Sequence, residues 1–231
     1  MVDLKGVVFD IDDTLYFECD YVRSGFQYVA YILEKNGFYS KDKLFNCLWI
    51  GFQSGIRGKN FDLLFKKFPV LSKYLSIQKL VGIYREHVPN IHLNVEITDI
   101  VRQFKKDNVF LGIVSDGPLV SQRAKASALG LNNIFDEVVL TDKWGRDYWK
   151  PHHRAFEFLE KKSGLLPEFM LYIGDNPKKD FITPNSRGWK TIRLKMPGQV
   201  WFEEPCGEGL FRAHHVVGSL QELREVLGSK C

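Results

Sequence analysis

The sequence lacks the features that place a chain in a membrane or outside the cell. No apolar run approaches the ~18 residues that a transmembrane helix needs, and no basic region followed by an apolar segment marks a signal peptide. The 4 cysteines are widely scattered without a C-x-x-C pair, which argues against a zinc site and against a disulfide framework. We therefore expect a soluble protein of the reducing cytoplasm with no membrane partner.

A strong charge of either sign is missing as well. The 231 residues include 32 Lys and Arg against 28 Asp and Glu, so the formal net charge is only +4, and no basic stripe is present. This balance is compatible with a small anionic substrate but too mild for a nucleic-acid partner. The length predicts one domain with a sizeable insertion. We expect a monomer or a homodimer.

Short apolar runs that stop at small or acidic residues predict the strands of a sheet. Residues 7–9 stop at Asp10, residues 109–114 stop at Ser115, and residues 169–173 stop at Gly174. Helical spacing of apolar residues separates these runs. The alternation predicts an α/β fold, a doubly wound parallel sheet with helices on both faces.

A long stretch after the first strand carries only helical patterns. Apolar residues recur at helical spacing in several segments there, and no strand pattern interrupts them. We therefore predict a core formed by residues 1–15 and 95–231, with a helical insertion at 16–94.

Two carboxylates stand where the first strand ends. Asp10 and Asp12 are two residues apart, so in an extended chain their side chains point the same way. Like charges held together are costly unless a proton or a cation lies between them. Oxygen ligands suit Mg²⁺, so we predict a magnesium site at this strand end.

Four motifs occur in an order that is typical of one enzyme family. They are hhhhDxDxT at residues 7–14, Ser-x-Gly at 115–117, Lys-Pro at 150–151 and GDxxxxD at 174–180. With these motifs the chain resembles the phosphatases of the haloacid dehalogenase (HAD) superfamily, subfamily I. The resemblance implies a Rossmann-like core, and it implies that the helical insertion is the family's C1 cap.

The resemblance also implies roles for individual residues in the reaction. Asp10 is expected to attack phosphorus and become an aspartyl phosphate, while Asp12 acts as general acid and then as general base. Thr14 is expected to orient Asp12, and Lys150 to neutralise charge on the nucleophile and the phosphate.

The resemblance further assigns the phosphate and metal ligands. Ser115 and the backbone around Asp116 and Gly117 are expected to bind the phosphoryl oxygens, together with Lys150. Mg²⁺ is expected to be held by the Asp10 side chain, the Asp12 backbone carbonyl and Asp175, with Asp180 bound to the metal directly or placed close behind its ligands.

The family pattern also shows where this chain departs from it. Asp116 stands where the family commonly has Asn, and Lys179 stands where a subgroup often has Asn. The dehalogenase branch lacks the second aspartate and uses no metal, so Asp12 argues against dehalogenation.

The resemblance implies a small phosphorylated substrate: a sugar phosphate, a phosphoglycolate-like acid or a nucleoside monophosphate. Two alternatives to a phosphatase stay open. One is a phosphomutase-type phosphotransferase, and the other is a phosphate-responsive binding protein without catalysis.

Overall fold

The chain divides into two compact units in a computed structural model that describes residues 4–228. The described residues of Met1–Cys19 and His92–Cys231 form the first unit, and Asp20–Ile91 forms the second. The second unit lies within the stretch predicted as an insertion, and its function as a cap stays a prediction. No helix in the described residues is long and apolar enough to span a bilayer.

A parallel sheet forms the centre of the first unit. Its strands are β1 (Gly6–Phe9), β2 (Phe110–Ser115), β3 (Glu137–Leu140), β4 (Met170–Gly174), β5 (Lys190–Leu194) and β6 (His215–Val217). The six strands lie in the order β3-β2-β1-β4-β5-β6, and every neighbouring pair is parallel. Strands β1 and β4 are buried along their whole length, which explains their continuous apolar sequences. The α/β fold class predicted from the sequence is confirmed.

Helices separate every pair of consecutive strands except β5 and β6, which a long loop joins. They are α1 (Glu18–Lys35), α2 (Lys41–Gln53), α3 (Asn60–Lys67), α4 (Ile77–Glu86), α5 (Val95–Lys106), α6 (Leu119–Ala128), α7 (Leu131–Ile134), α8 (Arg154–Ser163), α9 (Ile182–Arg187) and α10 (Leu220–Leu227). Side chains from β2, β4 and α8 meet in one buried cluster that includes Val114, Tyr172, Phe156 and Leu159. This packing fixes the strand ends from which the site is built.

The second unit is helical and has an aromatic core. The Phe26 ring packs edge-to-face against the rings of Phe52 and Phe61, with centroids 6.4 and 6.2 Å apart. Gly25 lies so close to Tyr84 that an added Cβ would meet the Tyr84 ring at 2.4 Å. The small residue therefore allows α1 and α4 to approach each other.

The strand order places a crevice at the carboxyl end of β1. The chain moves outward from β1 through β2 to β3, and later returns to the other side of β1 through β4. In parallel sheets, ligands bind at such a reversal of strand order. Asp10, Ser115 and Asp175 are at or directly beyond the ends of β1, β2 and β4, so they share this crevice.

The sequence of residues 178–187 predicts a weak helix, but the helix begins only at Ile182 because a turn precedes it. Asp180 Oδ2 accepts the backbone N–H of Asn176 at 2.9 Å, and Asn176 Oδ1 accepts the N–H of Lys178 at 3.0 Å. These side-chain acceptors satisfy N–H groups in a turn and delay the helix to Ile182.

Candidate active site

Lys150 is a buried cation at the centre of the site. Its Nζ lies 2.8 Å from Asp10 Oδ1 and 2.8 Å from Asp180 Oδ1. It also donates to Tyr172 Oη at 2.8 Å and to the carbonyl oxygen of Val114 at 3.3 Å. Burial disfavours a charged lysine, but the carboxylates of Asp10 and Asp180 outweigh it and hold the pKa of Lys150 well above its ordinary value.

Three buried carboxylates converge beside this ammonium. Oxygen atoms of Asp10, Asp175 and Asp180 all lie within 4.8 Å of one another. Burial raises the pKa of Asp10 to about 6, although the charge of Lys150 acts in the opposite direction. Burial, followed by repulsion from Asp180, raises the pKa of Asp175 well above its ordinary value. Protons therefore bind Asp10 and Asp175 more tightly than ordinary aspartates when no other cation is present.

The cluster has the composition of a divalent metal site. One ammonium cannot balance three carboxylates, and the remaining charge matches a doubly charged cation. Asp175 Oδ2 is buried and has no hydrogen-bond partner among residues 4–228. Carboxylate oxygens are the ligands that Mg²⁺ prefers. The side chains of Asp10, Asp175 and Asp180 therefore fit the predicted ion.

Asp12 has its own countercharge, which differs from the arrangement expected from the sequence. Lys125 Nζ lies 2.7 and 2.8 Å from the two carboxylate oxygens of Asp12. Gln122 Nε2 donates to Oδ2 at 3.0 Å, and the Tyr16 hydroxyl donates to Oδ1. Burial opposes ionisation, but Lys125 and these hydrogen bonds hold the pKa of Asp12 below its ordinary value. A cation shared with Asp10 is therefore not needed to balance the Asp12 carboxylate, and metal binding by its backbone carbonyl stays a prediction.

Gln122 and Lys125 were missed by the sequence reasoning. They lie three residues apart on the buried side of α6, the helix that follows β2, and their exposed fractions are 2% and 4%. Two polar residues on the inward face of a predicted helix are the signal that identifies them. Their position next to Asp12 makes them part of the site.

The loop after β2 holds the residues predicted to bind phosphate. Ser115 Oγ donates to Gln122 Oε1 at 3.3 Å. Asp116 Oδ1 accepts the Thr141 hydroxyl at 2.7 Å and the backbone N–H of Lys150 at 3.0 Å. Gly117 has a φ of +134°, and a Cβ there would meet Gln122 Nε2 at 2.7 Å. Only glycine fits this close approach.

The structure does not bring Thr14 to Asp12. The Thr14 hydroxyl is buried, and within the described part of the chain it has no hydrogen-bond partner. The Asp12 oxygens are already bound by Tyr16, Gln122 and Lys125. No direct contact therefore supports an orienting role for Thr14. Tyr16, Gln122 and Lys125 orient Asp12 instead.

A long loop after β5 is joined by hydrogen bonds to the segments that carry Asp13 and Asp175. The Asp13 carboxylate accepts the backbone N–H of Val200 at 2.6 Å, and Gln199 Nε2 donates to the Asp13 carbonyl at 2.6 Å. The buried guanidinium of Arg193 donates to the carbonyl of Asp175 at 3.0 Å and to that of Trp201 at 2.8 Å. The loop is thus tied to both acidic segments, a connection that the sequence did not reveal.

We expect the protein without metal to lose stability as the pH rises. Burial raises the pKa of Asp10 and that of Asp13 to about 6, above the ordinary value of 3.8. The folded state therefore binds more protons than the unfolded state in this range, and its stability falls as those protons leave. With chelator present, the free energy of unfolding should be about 1–2 kcal/mol lower at pH ~7.5 than at pH ~5.5.

Urea unfolding at the two pH values, with and without MgCl₂, measures this difference. Metal ligands bind when ionised, so added Mg²⁺ should stabilise the protein more at the higher pH. Equal stability at both pH values without metal would contradict the assignment of these buried carboxyl groups.

The family comparison agrees with the motif order. A sequence profile described as "Haloacid dehalogenase-like hydrolase" matches residues 7–194. A relative from Methanocaldococcus jannaschii named "Glyceraldehyde 3-phosphate phosphatase" is 27% identical over 230 residues, and the match covers 97% of each chain.

Solved structures share the fold. A HAD phosphatase from Thermococcus onnurineus matches with a TM-score of 0.60 and 24% identity over 97% of this chain and 98% of its own. The HAD-hydrolase YfnB from Bacillus subtilis, solved bound to magnesium, matches with a TM-score of 0.66 and 18% identity over 97% of this chain and 99% of its own. At these identities the likeness establishes the architecture alone.

Proposed function

The chain belongs to the haloacid dehalogenase-like hydrolase family, and on that premise we propose that it is a Mg²⁺-dependent phosphatase acting on a small phosphorylated metabolite. The observation that carries the proposal is the pairing of a buried carboxylate, Asp10, with a buried ammonium, Lys150, at 2.8 Å beside Asp175 and Asp180. A nucleophile, a cation and a set of metal ligands are the groups that phosphoryl transfer requires.

Asp10 is the nucleophile in this proposal. Lys150 holds Oδ1 of Asp10, which orients the carboxylate so that the other oxygen can attack phosphorus. A bond forms between that oxygen and phosphorus, and the bond from phosphorus to the leaving oxygen breaks. Mg²⁺ held by Asp10 and Asp175 would offset the negative charge of the phosphoryl group.

Asp12 moves the protons in this proposal. Its contacts with Lys125 and Gln122 keep it ionised, which is the state of a base that accepts a proton from the attacking water. Water then adds to the phosphorus of the aspartyl phosphate, Asp12 takes the proton, and Asp10 is released with inorganic phosphate. In the first step Asp12 must be protonated, because it gives a proton to the leaving oxygen. The contact between Lys125 and Asp12 must therefore weaken when substrate binds.

A sugar phosphate is the substrate class that we propose. The support is the Methanocaldococcus jannaschii relative, which is named for glyceraldehyde 3-phosphate and matches over 97% of both chains. Phosphoglycolate and nucleoside monophosphates are the other classes to compare. A triose phosphate is therefore the first compound to test.

Phosphate release from a panel of these esters tests the proposal. We expect release of inorganic phosphate from a sugar phosphate with MgCl₂ and none with chelator. Phosphorus NMR of the products separates the alternatives, because a phosphomutase moves the phosphate within an organic product and a binding protein leaves the ester intact. Release of chloride from a 2-chloro acid, without phosphate release from any ester, would contradict a phosphatase.

A further inference from the structure

Lys150 has no hydrogen-bond donor left for a substrate. An ammonium has three N–H donors, and Lys150 Nζ donates to Asp10 Oδ1 and Tyr172 Oη at 2.8 Å each and to the Val114 carbonyl at 3.3 Å. Its side chain has an exposed fraction of 0%. Lys150 therefore neutralises the charge of Asp10, and a further cation with available donors would add a direct contact to the phosphoryl group.

Lys179 is a second ammonium in the same crevice. Its Nζ donates to Asp116 Oδ2 at 3.1 Å, and its side chain is 29% exposed whereas that of Asp116 is 2% exposed. Lys179 directly precedes Asp180, a member of the carboxylate cluster. Its side chain therefore reaches solvent, while the side chain of its partner Asp116 is buried.

Asp116 does not use up the hydrogen-bonding capacity of Lys179. The Thr141 hydroxyl and the backbone N–H of Lys150 both bind Asp116 Oδ1, so Lys179 is not needed to fix that carboxylate. In the described residues Lys179 Nζ makes this one hydrogen bond, which leaves two of its three donors available. Burial and Lys150 disfavour its charge, but Asp116, Asp10 and Asp180 outweigh them and raise the pKa of Lys179.

We propose that Lys179 is a further substrate-binding residue, whose ammonium donates to a non-bridging oxygen of the substrate's phosphoryl group while Asp116 holds its side chain in place. The inference rests on the proposed phosphatase function. It also connects the two departures from the family pattern, because Asp116 and Lys179 form one ion pair. The ammonium of Lys179 then contacts the substrate phosphate directly.

Calorimetric titration with inorganic phosphate in the presence of MgCl₂ tests this role. Lys179→Met should weaken phosphate binding about 10- to 100-fold, because a charge-assisted hydrogen bond is lost. Lys178→Met is the matched control. It removes the neighbouring positive charge, but Lys178 pairs with Glu204 at 2.6 Å and is 58% exposed, so its phosphate affinity should stay within about 2-fold of wild type.

Asp116→Asn separates substrate binding from a structural ion pair. The variant keeps an oxygen for Thr141 but removes the carboxylate that holds Lys179 in place, so phosphate should bind more weakly than in wild type and more tightly than in Lys179→Met. A purely structural pair predicts that Asp116→Asn and Lys179→Met weaken phosphate binding alike, and that result would overturn the inference. Lys179→Gln replaces Lys179→Met if thermal melting shows that the methionine variant is unfolded.

Failure of the inference differs from failure of the proposed function. Wild-type affinity for phosphate in folded Lys179→Met would overturn the role of Lys179 alone. A wild-type protein that neither binds phosphate nor releases it from any ester would overturn the phosphatase proposal itself.

Discussion

Replacing Asp10 by Asn should reduce phosphate release by about 10⁴-fold or more and leave the fold intact. An amide oxygen cannot form the aspartyl phosphate, so the covalent step is lost and not merely slowed. The buried neighbours keep partners, because Lys150 still contacts Asp180 and Tyr172 at 2.8 Å each. Steady-state phosphate release measures the loss, and the mass of acid-quenched protein shows whether a phosphoryl group is bound.

Asp136→Asn is the matched control for Asp10→Asn. Asp136 Oδ2 accepts the backbone N–H of Leu111 at 2.8 Å, near the amino ends of β2 and β3 and away from the crevice. Asp136→Asn also replaces a carboxylate by an amide, and its turnover should stay within a few-fold of wild type. Retained turnover in Asp10→Asn, or a phosphorylated form of that variant, would assign the nucleophile to another residue.

Replacing Asp175 by Asn should remove the response of the protein to Mg²⁺. Within residues 4–228, Asp175 Oδ2 and Asp180 Oδ1 both lack a hydrogen-bond partner, but Asp180 Oδ1 lies 2.8 Å from Lys150 Nζ, so the ionised form of Asp175 depends more on an added cation. We expect a loss of about 100-fold or more in phosphate release. Without metal, the variant should be at least as stable as wild type, because burial and the charge of Asp180 disfavour the ionised carboxylate that the amide replaces.

Thermal melting with and without MgCl₂ checks this expectation. At about 100 times the dissociation constant, Mg²⁺ should stabilise wild type by about 2.7 kcal/mol, whereas Asp175→Asn should show little change. Chelation of wild type should reproduce the low activity of the variant, and excess Mg²⁺ should restore wild type only. Equal stabilisation of both proteins by Mg²⁺ would place the metal elsewhere.

The sheet was predictable because local sequence determines most of it. Strands β1, β2 and β4 overlap the apolar runs at residues 7–9, 109–114 and 169–173 from which they were predicted. Apolar runs must be buried and alternate with helical patterns, which leaves the parallel sheet as the arrangement that covers both faces. The helix before β5 was less predictable, because side-chain hydrogen bonds around Asn176 compete with helical ones.

The convergence of Asp10, Lys150 and Asp175 was also predictable. Their positions at strand ends, or in the loops that follow, bring them to one edge of any parallel sheet with this strand order. The sequence by itself thus determined the fold class, the family and the residues that gather around the end of β1.

The pairing of charged side chains depends on the tertiary packing and could not be predicted. Asp12 is bound by Lys125, which is 113 residues away, and Asp116 by Lys179, which is 63 residues away. Such pairs depend on the separation of two loops and on the direction of each side chain, and no local pattern encodes either. In the described residues, hydrogen bonds use the three donors of Lys150 but only one of the three donors of Lys179, so the different roles of the two lysines follow from packing and not from the motifs.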